Sequence, residues 1–150
     1  MSGITAVTAT IREGYARLTS EAFTVPVPGS PVPASAIERL TLSADNVVKA
    51  TGGVAPEWVS VVVTTHGRAL ASATPGHWVA GDMEAIVYLM TMEGQFVHRG
   101  PKPPRAKAPT GTYLSIVLDA ETLKRMDLGL SHNPPPVTPA SLGPVTYLKR

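Results

Sequence analysis

The sequence predicts an α+β fold, in which an antiparallel sheet of about four to six strands is covered on one face by a helix. A helical pattern over residues 36–51 is followed by several β-rich runs, and short turns connect those runs. Strands that are joined by short turns pair in antiparallel fashion. Because the helical pattern precedes the strands instead of alternating with them, a doubly wound parallel fold does not fit.

Composition supports the same fold class. The chain has 150 residues, of which 43% are apolar, so it is large enough for one hydrophobic core and too apolar for a disordered chain. Its 15 prolines argue against an all-helical protein because proline interrupts helices. Thirteen of these prolines form three clusters, within residues 26–33, 101–109 and 134–144.

The proline clusters divide the chain into the parts of a single α+β domain. We expect an N-terminal helix within residues 1–23, a Pro-rich linker over 24–34, a core over 35–131 and a Pro-rich C-terminal tail over 132–150. Apolar residues at helical spacing favour the helix over residues 4–20, and the β-branched residues of the same stretch leave a strand as the alternative. Proline at alternate positions predicts an extended linker.

The helix that covers the sheet is predicted over residues 36–51. Ser35 and Glu38 fit a capping box, in which side chains satisfy the unpaired amides of the first helical turn. Gly52-Gly53 then ends the helix, because glycine readily adopts positive φ. The residues of the predicted apolar face are Ile37, Leu40, Ala44, Val47 and Val48.

The first strand is predicted at Trp58–Thr65, where β-branched residues are concentrated. We expect a bend at His66-Gly67, followed by a segment, Arg68–Ala73, that pairs back or continues the strand. Since the helix precedes this strand, we also expect the Trp58 side chain to pack beneath the helix.

Two hairpins complete the predicted sheet. Ile86–Met92 and Gln95–His98 flank a glycine, which predicts a hairpin between them. The run Thr112–Asp119 ends in an aspartate whose carboxylate can accept hydrogen bonds from turn amides, so a second hairpin connects it to residues 124–131. Val145–Leu148 adds an edge strand.

Composition, charge and hydropathy exclude several classes of protein. The chain has no cysteine, which excludes disulfide scaffolds and thiolate metal sites. Its net charge of +2 is too small for a nucleic-acid binder, and no apolar run approaches the roughly 20 residues of a transmembrane helix. The start of the chain lacks the features of a secretory signal. We therefore expect a cytoplasmic protein, or an extracytoplasmic one if a signal peptide has been removed.

Four segments and their order carry a resemblance to a known family: Ser35–Gly53, Trp58–Thr65, Ile86–Met92 and Leu114–Thr122. Over about residues 35–131 the chain resembles the PepSY-like and cystatin-like small α+β modules of bacterial extracytoplasmic proteins. The shared motif is Asp-Ala-x-Thr at the end of the last segment, and the glycine that usually follows it is Leu123 here. The resemblance implies a secreted module that is linked to peptidase regulation or inhibition.

The candidate binding residues are basic and aromatic. Residues 99–109, here called the basic loop, contain Arg99, Lys102, Arg105 and Lys107 and no acid. A stiff and positively charged arm suits an acidic protein or an anionic surface as its partner. Trp78, in a loop beside a histidine, is the candidate aromatic contact of the same partner.

No recognisable catalytic or metal-binding motif accompanies these residues. The four histidines are not placed at metal-ligand spacings, and the chain has neither a nucleophile elbow nor a glycine-rich phosphate loop. We therefore predict no catalytic residues, no metal and no cofactor. The leading hypothesis is a non-catalytic binding or inhibitory module that acts through the basic loop.

Two alternative functions remain open. One is a small hydrolase-like enzyme whose site is assembled in space from His66, His77, Asp82 and Glu84. The other is a structural or assembly subunit, such as a phage or secretion component, in which the Pro-rich arms wrap neighbouring subunits. The sequence does not predict the oligomeric state.

Overall fold

The computed structural model describes residues 24–51, 57–73, 82–98 and 102–150, so the predicted N-terminal helix lies outside the described residues. The described elements are α1 (Ala34–Thr51), β1 (Trp58–Thr65), α2 (His66–Ala73), β2 (Ile86–Val97), β3 (Thr110–Asp119), β4 (Arg125–Ser131), a 3-10 turn (Pro139–Ser141) and β5 (Thr146–Lys149). The five strands form one antiparallel sheet in the order β4-β3-β2-β1-β5. The predicted α+β class is confirmed.

Helix α1 begins directly after Pro33, whose carbonyl accepts a hydrogen bond from the Ala36 amide at 3.0 Å. The predicted capping box is wrong: Ser35 lies inside the helix, and neither Ser35 nor Glu38 makes a capping hydrogen bond in the described part of the chain. The fixed φ of proline suits a helix start and takes over that role. Ala36 is buried in the core, whereas the Ile37 side chain is 37% exposed.

Helix α1 covers one face of the sheet, here called the α1 face. Its buried residues are Ala36, Leu40, Ala44, Val47, Val48 and Thr51. Side chains alternate across a strand, so every second residue of the central strands points to the α1 face. These strand residues are Val59, Val61, Val63, Tyr88, Met90, Met92, Leu114, Ile116 and Leu118. Each fully buried aliphatic side chain contributes about 1.5–3 kcal/mol to stability, which makes this layer the main core.

Strand β2 runs without interruption through the predicted hairpin at Glu93-Gly94, and that prediction is wrong. Glu93 pairs with Tyr113 and Phe96 with Gly111, so β2 has one residue more than β3 between these pairs. This is a β-bulge. A glycine between two β-rich runs is compatible with a turn or with a bulge. Here β2 pairs along its length with β3, a strand later in the sequence, and this pairing favours the bulge.

The β3–β4 hairpin is confirmed as predicted. Asp119 Oδ1 accepts hydrogen bonds from the amides of Glu121 at 2.8 Å and Thr122 at 2.9 Å. Leu123 follows with a φ of 58°, in the left-handed region, and its side chain is 5% exposed. The residue therefore adopts the backbone conformation that favours glycine, while its side chain packs into the core.

Helix α2 replaces the predicted bend and strand after Thr65, and it packs on the sheet face opposite α1, here called the opposite face. Ala69 of α2 is buried with Val62, Val87, Leu89 and Val117. Sequence periodicity over so short a segment does not separate a helix from a returning strand. The helix covers only part of the opposite face.

Residues 132–145, here called the crossing segment, cover another part of the opposite face. They connect β4 at one sheet edge to β5 at the other, a distance of about 19 Å at the usual strand spacing. Leu142 and Val145 pack on the sheet, and Ser72 Oγ of α2 donates a hydrogen bond to the Val137 carbonyl at 2.6 Å. The Pro-rich tail thus packs against the sheet.

The Pro-rich segment before α1 also contacts the sheet. The Gly29 amide donates a hydrogen bond to the Val63 carbonyl at 3.0 Å, and Val32 is buried in the main core. At the other end of the chain, Arg150 Nη1 lies 3.0 Å from Asp45 Oδ1. Both flanking segments are therefore joined to the α1 side of the molecule.

Candidate functional site

One end of the opposite face is left uncovered by α2 and the crossing segment, and an open groove of about 700 Å³ lies there. We call it the aromatic groove. Its lining residues are Trp58, Ser60, Thr91, Met92, Glu93, Gly94, Gln95, Thr112 and Tyr147. They come from the adjacent strands β3, β2, β1 and β5, so a rigid sheet positions the groove.

Two aromatic side chains are exposed beside this groove. Trp58 is 52% exposed and Tyr147 is 65% exposed. Ser60 pairs with Tyr147, and alternation along β1 puts Trp58 on the same face as Ser60 and on the opposite side from the buried Val59. The prediction that Trp58 packs beneath the helix is therefore wrong.

Polar groups complete the groove, and the bulge in β2 positions several of them. Glu93 and Gln95 are exposed along it, while the neighbouring Phe96 is buried in the main core. Ser60 Oγ donates a hydrogen bond to the Thr91 carbonyl at 3.0 Å. The groove thus offers aromatic surface together with a carboxylate and an amide, a combination that suits a ligand with apolar and hydrogen-bonding parts.

The basic loop connects β2 to β3 at the same end of the sheet. Arg99 and Trp78, two of the predicted partner-binding residues, lie outside the described residues. Lys102, Arg105 and Lys107 are exposed, and none of the three forms an ion pair in the described part of the chain. This part of the loop presents three uncompensated positive charges to solvent.

The tip of the basic loop is an ordered turn. The Ala106 amide donates a hydrogen bond to the Pro103 carbonyl at 3.1 Å, and the φ of Arg105 is 67°. Proline at the second position and a positive φ at the third are the features of a type II turn, where glycine is usual at the third position. The turn instead carries an arginine there.

The basic loop and the aromatic groove adjoin. Gln95 lines the groove two residues before β2 ends, and Thr112 lines it two residues after β3 begins. At about 3.3 Å per residue, the groove wall lies roughly 7 Å from both ends of the connection that carries the basic loop. A ligand in the groove therefore lies close to the base of the basic loop.

A second, smaller cavity of about 150 Å³ lies on the opposite face between β3, β4, α2 and the crossing segment. We call it the serine cavity. Its lining residues are Ser72, Tyr113, Ser115, Gly129, Ser131, Asn133, Pro134, Pro135 and Pro136. All of these side chains are uncharged.

Among the described residues, His66 does not form an acid–base pair with Asp82 or Glu84 of the hypothetical hydrolase site. His66 is buried, and neither of its ring nitrogens has a hydrogen-bond partner in the described part of the chain. Asp82 and Glu84 are exposed, and Asp82 Oδ1 accepts a hydrogen bond from the Glu84 amide at 2.9 Å. His77 lies outside the described residues.

The described residues, 24–51, 57–73, 82–98 and 102–150, form no cluster of metal ligands. No three of their His, Asp or Glu side chains converge on a point where a metal ion would sit. Among the same residues, neither helix combines the length and the hydropathy that crossing a membrane requires.

The Tyr88 hydroxyl is a buried polar group in the main core. It has no hydrogen-bond partner among the described residues, and desolvation raises the pKa of Tyr88 above its ordinary value of 10.0. The side chain lies on the α1 face, away from both the groove and the serine cavity. We assign it to packing.

Sequence reasoning missed the aromatic groove, although signals for it were present. Ser60 alternates with valines in β1, which marks one face of that strand as less apolar, and Trp58 shares this face. In β5, Tyr147 alternates with the apolar Leu148. What the sequence did not supply was the pairing of β1 with β5, which brings Trp58 and Tyr147 to one surface.

Comparison with known proteins leaves the resemblance to PepSY-like and cystatin-like modules a prediction. No protein family, no curated protein and no solved structure matches the chain.

Proposed function

We propose that the chain is a non-catalytic binding module whose partner is a protein with an acidic and partly apolar surface. This partner contacts the basic loop and the aromatic groove together. The observation that carries the proposal is the hydrogen-bonded turn that holds Arg105 in solvent between Lys102 and Lys107, in the loop that connects two strands of an open groove.

The charge of the loop supports an acidic partner. Residues 102–109 contain three exposed cations and no acid. Exposed charges without an intramolecular partner add little to folding stability, whereas a complementary surface on a partner accelerates association and selects against basic proteins.

The geometry of the turn supports a preformed binding element. A left-handed conformation costs a residue with a side chain about 1 kcal/mol, and the Arg105 side chain makes no hydrogen bond or ion pair within the described part of the chain. Strained backbone of this kind occurs preferentially where it serves binding or catalysis. Pro104 fixes φ before Arg105, so less conformational entropy is lost on binding.

The groove favours a protein over a membrane or an anionic polymer as the partner. Trp, Tyr and Arg are the residues most enriched in protein–protein hot spots. Trp58 and Tyr147 line the groove, and Arg105 is exposed in the loop that connects two of its strands. A protein surface can combine acidic residues for the loop with an apolar side chain for the groove.

Two further expectations belong to the same proposal. The resemblance to PepSY-like and cystatin-like modules agrees with a binding or inhibitory role, and a secreted protein would meet its partner outside the cytoplasm. Neither is needed for the binding surface itself, which is argued from the described residues.

The proposal is tested with two fluorescently labelled peptides, one of glutamates with a central phenylalanine and one with alanine in its place. We expect the phenylalanine peptide to bind more tightly, because its ring fills the groove. Changing Lys102, Arg105 and Lys107 to glutamine should weaken the binding of both peptides by about tenfold or more at low salt. Trp58→Thr should remove the preference for phenylalanine, which we measure by fluorescence anisotropy.

A matched control separates the loop from net charge. The triple variant Lys49→Gln, Arg68→Gln and Lys124→Gln removes three exposed cations elsewhere on the chain, and we expect it to bind both peptides within about twofold of the unmodified protein. Equal weakening by the two triple variants would contradict the proposal. So would binding to vesicles of anionic lipid with no binding to either peptide.

A further inference from the structure

We infer that the serine cavity is a second ligand site, separate from the partner surface, and that it takes a small neutral polyol or sugar. The cavity holds about 150 Å³, the space of roughly five water molecules at about 30 Å³ each. That size excludes peptides and nucleotides and suits a molecule of a few carbon atoms.

The cavity has an unused hydrogen-bonding group in its wall. The Ser115 side chain is 5% exposed and lines the cavity, and its hydroxyl makes no hydrogen bond within the described part of the chain. A hydroxyl has one donor and two acceptor positions, so the Ser115 hydroxyl is available to a ligand in the cavity. Such a group suits a ligand that supplies hydroxyls of its own.

Two other hydroxyls of the wall already make hydrogen bonds. Ser72 Oγ donates to the Val137 carbonyl at 2.6 Å, and Ser131 Oγ accepts a hydrogen bond from the Asn133 amide at 3.0 Å. Each of these hydroxyl oxygens keeps a free lone pair, because a hydroxyl has one donor and two acceptor positions. The wall therefore accepts hydrogen bonds from donors such as the hydroxyls of a polyol.

The chemistry of the wall excludes a charged ligand. No charged side chain lines the cavity, and an ion transferred there would lose its hydration without gaining a counter-charge. The proline rings of the crossing segment supply an apolar side, against which the C–H groups of a polyol can pack. Hydroxyls on one wall and rings on the other suit a molecule that is neutral and amphipathic.

Gly129 creates the space for this ligand. It pairs directly with Ser115 across β3 and β4, and both residues line the cavity. Directly opposed residues have their Cβ positions about 5 Å apart on one face of the sheet. A larger side chain at position 129 would therefore occupy the cavity beside Ser115, without entering the main core on the α1 face.

The inference is tested by titrating the full chain with glycerol and with glycerate, a carboxylate anion of similar size, while amide chemical shifts are recorded by NMR. We expect saturable shifts with glycerol around Ser115 and Gly129, in roughly the millimolar range for so small a ligand, and at least tenfold weaker binding of glycerate. Ser115→Ala should weaken glycerol binding about fivefold through the loss of one neutral hydrogen bond. Gly129→Val should abolish binding.

Two results would overturn the inference. One is a glycerol response that stays linear with concentration, which would mean that the cavity holds water only. The other is unchanged glycerol affinity in Ser115→Ala, the variant that leaves the shape of the cavity intact. Ser43→Ala, which removes a serine hydroxyl from α1 on the other side of the sheet, is the matched control and should bind glycerol as the unmodified chain does.

Discussion

The two faces of the sheet differ in how completely they are covered. An 18-residue helix lies across the α1 face, where Leu40, Tyr88 and Ile116 are fully buried. An eight-residue helix and the crossing segment lie across the opposite face, and they leave Trp58 and Tyr147 exposed. The incomplete cover produces both the aromatic groove and the serine cavity. One face therefore carries most of the stability, and the other has room for ligands.

The largest expected effect comes from the α1 face. Leu40 is fully buried, and Leu40→Ala removes its contacts and leaves a cavity, so we expect a loss of about 3 kcal/mol in the free energy of unfolding. Leu42, on the same helix, is 53% exposed, and Leu42→Ala should change stability by less than about 0.5 kcal/mol. Urea denaturation measures both. Similar losses in the two variants would mean that α1 does not carry the core.

We expect a smaller loss in the free energy of unfolding from a substitution at Gly143, where the crossing segment contacts the segment before α1. A Cβ added at Gly143 would lie 2.9 Å from the Cα of Gly29, and backbone at such a contact cannot rotate away. We expect Gly143→Ala to cost about 2 kcal/mol, measured by thermal unfolding. A change below about 0.5 kcal/mol would show that the crossing segment moves freely over the opposite face.

Gly29 provides the control for that contact. Its φ is 83°, and an added Cβ there meets no described atom within 4 Å. Gly29→Ala should therefore cost only the strain of the left-handed conformation, about 1 kcal/mol. A larger loss than that of Gly143→Ala would contradict the steric explanation.

Elements governed by local rules were predictable from the sequence. The helix over 36–51 follows from 3.6-residue periodicity and the strand Trp58–Thr65 from its β-branched residues, and the structure has both. The β3–β4 hairpin follows from the capping carboxylate of Asp119. The bulge at Glu93 and the short helix α2 were missed, because long-range pairing and packing decide between local conformations of similar energy.

The candidate site was predictable only in part. The basic loop follows from composition alone, and Lys102 and Lys107 are exposed as a solvated loop requires. The groove and the serine cavity are formed by residues distant in sequence, such as Ser72 and Ser115. Which face of β1 the helix covers also depends on tertiary packing, and for this reason Trp58 was assigned to the wrong side.

We expect Tyr88→Phe on the α1 face to raise the free energy of unfolding by about 1 kcal/mol. The buried hydroxyl has no partner among the described residues, so removing it relieves a desolvation cost. Burial raises the pKa of Tyr88 above 10.0, so above pH 10 the unfolded chain loses this proton more readily than the folded one. Stability of the unmodified protein should thus fall as the pH rises above about 10.

The difference in unfolding free energy between Tyr88→Phe and the unmodified protein separates the titration of Tyr88 from that of the other groups that titrate at high pH. Denaturation from pH 8 to 11 should show a stability gap that widens with pH. A gap that is constant with pH, or a destabilised Tyr88→Phe variant, would mean that the hydroxyl has a partner in solution.

The smallest expected effect on stability is at Tyr147 on the opposite face. Its side chain is 65% exposed at the edge of the groove, and Tyr147→Thr keeps a residue that suits a strand, so unfolding by urea should change by less than about 0.5 kcal/mol. The same substitution should weaken binding of the phenylalanine peptide at least threefold, since the Tyr147 ring forms part of the groove. An exposed aromatic that contributes little to folding is available for binding. A loss above about 1 kcal/mol in stability would instead assign Tyr147 to the fold and remove it from the partner surface.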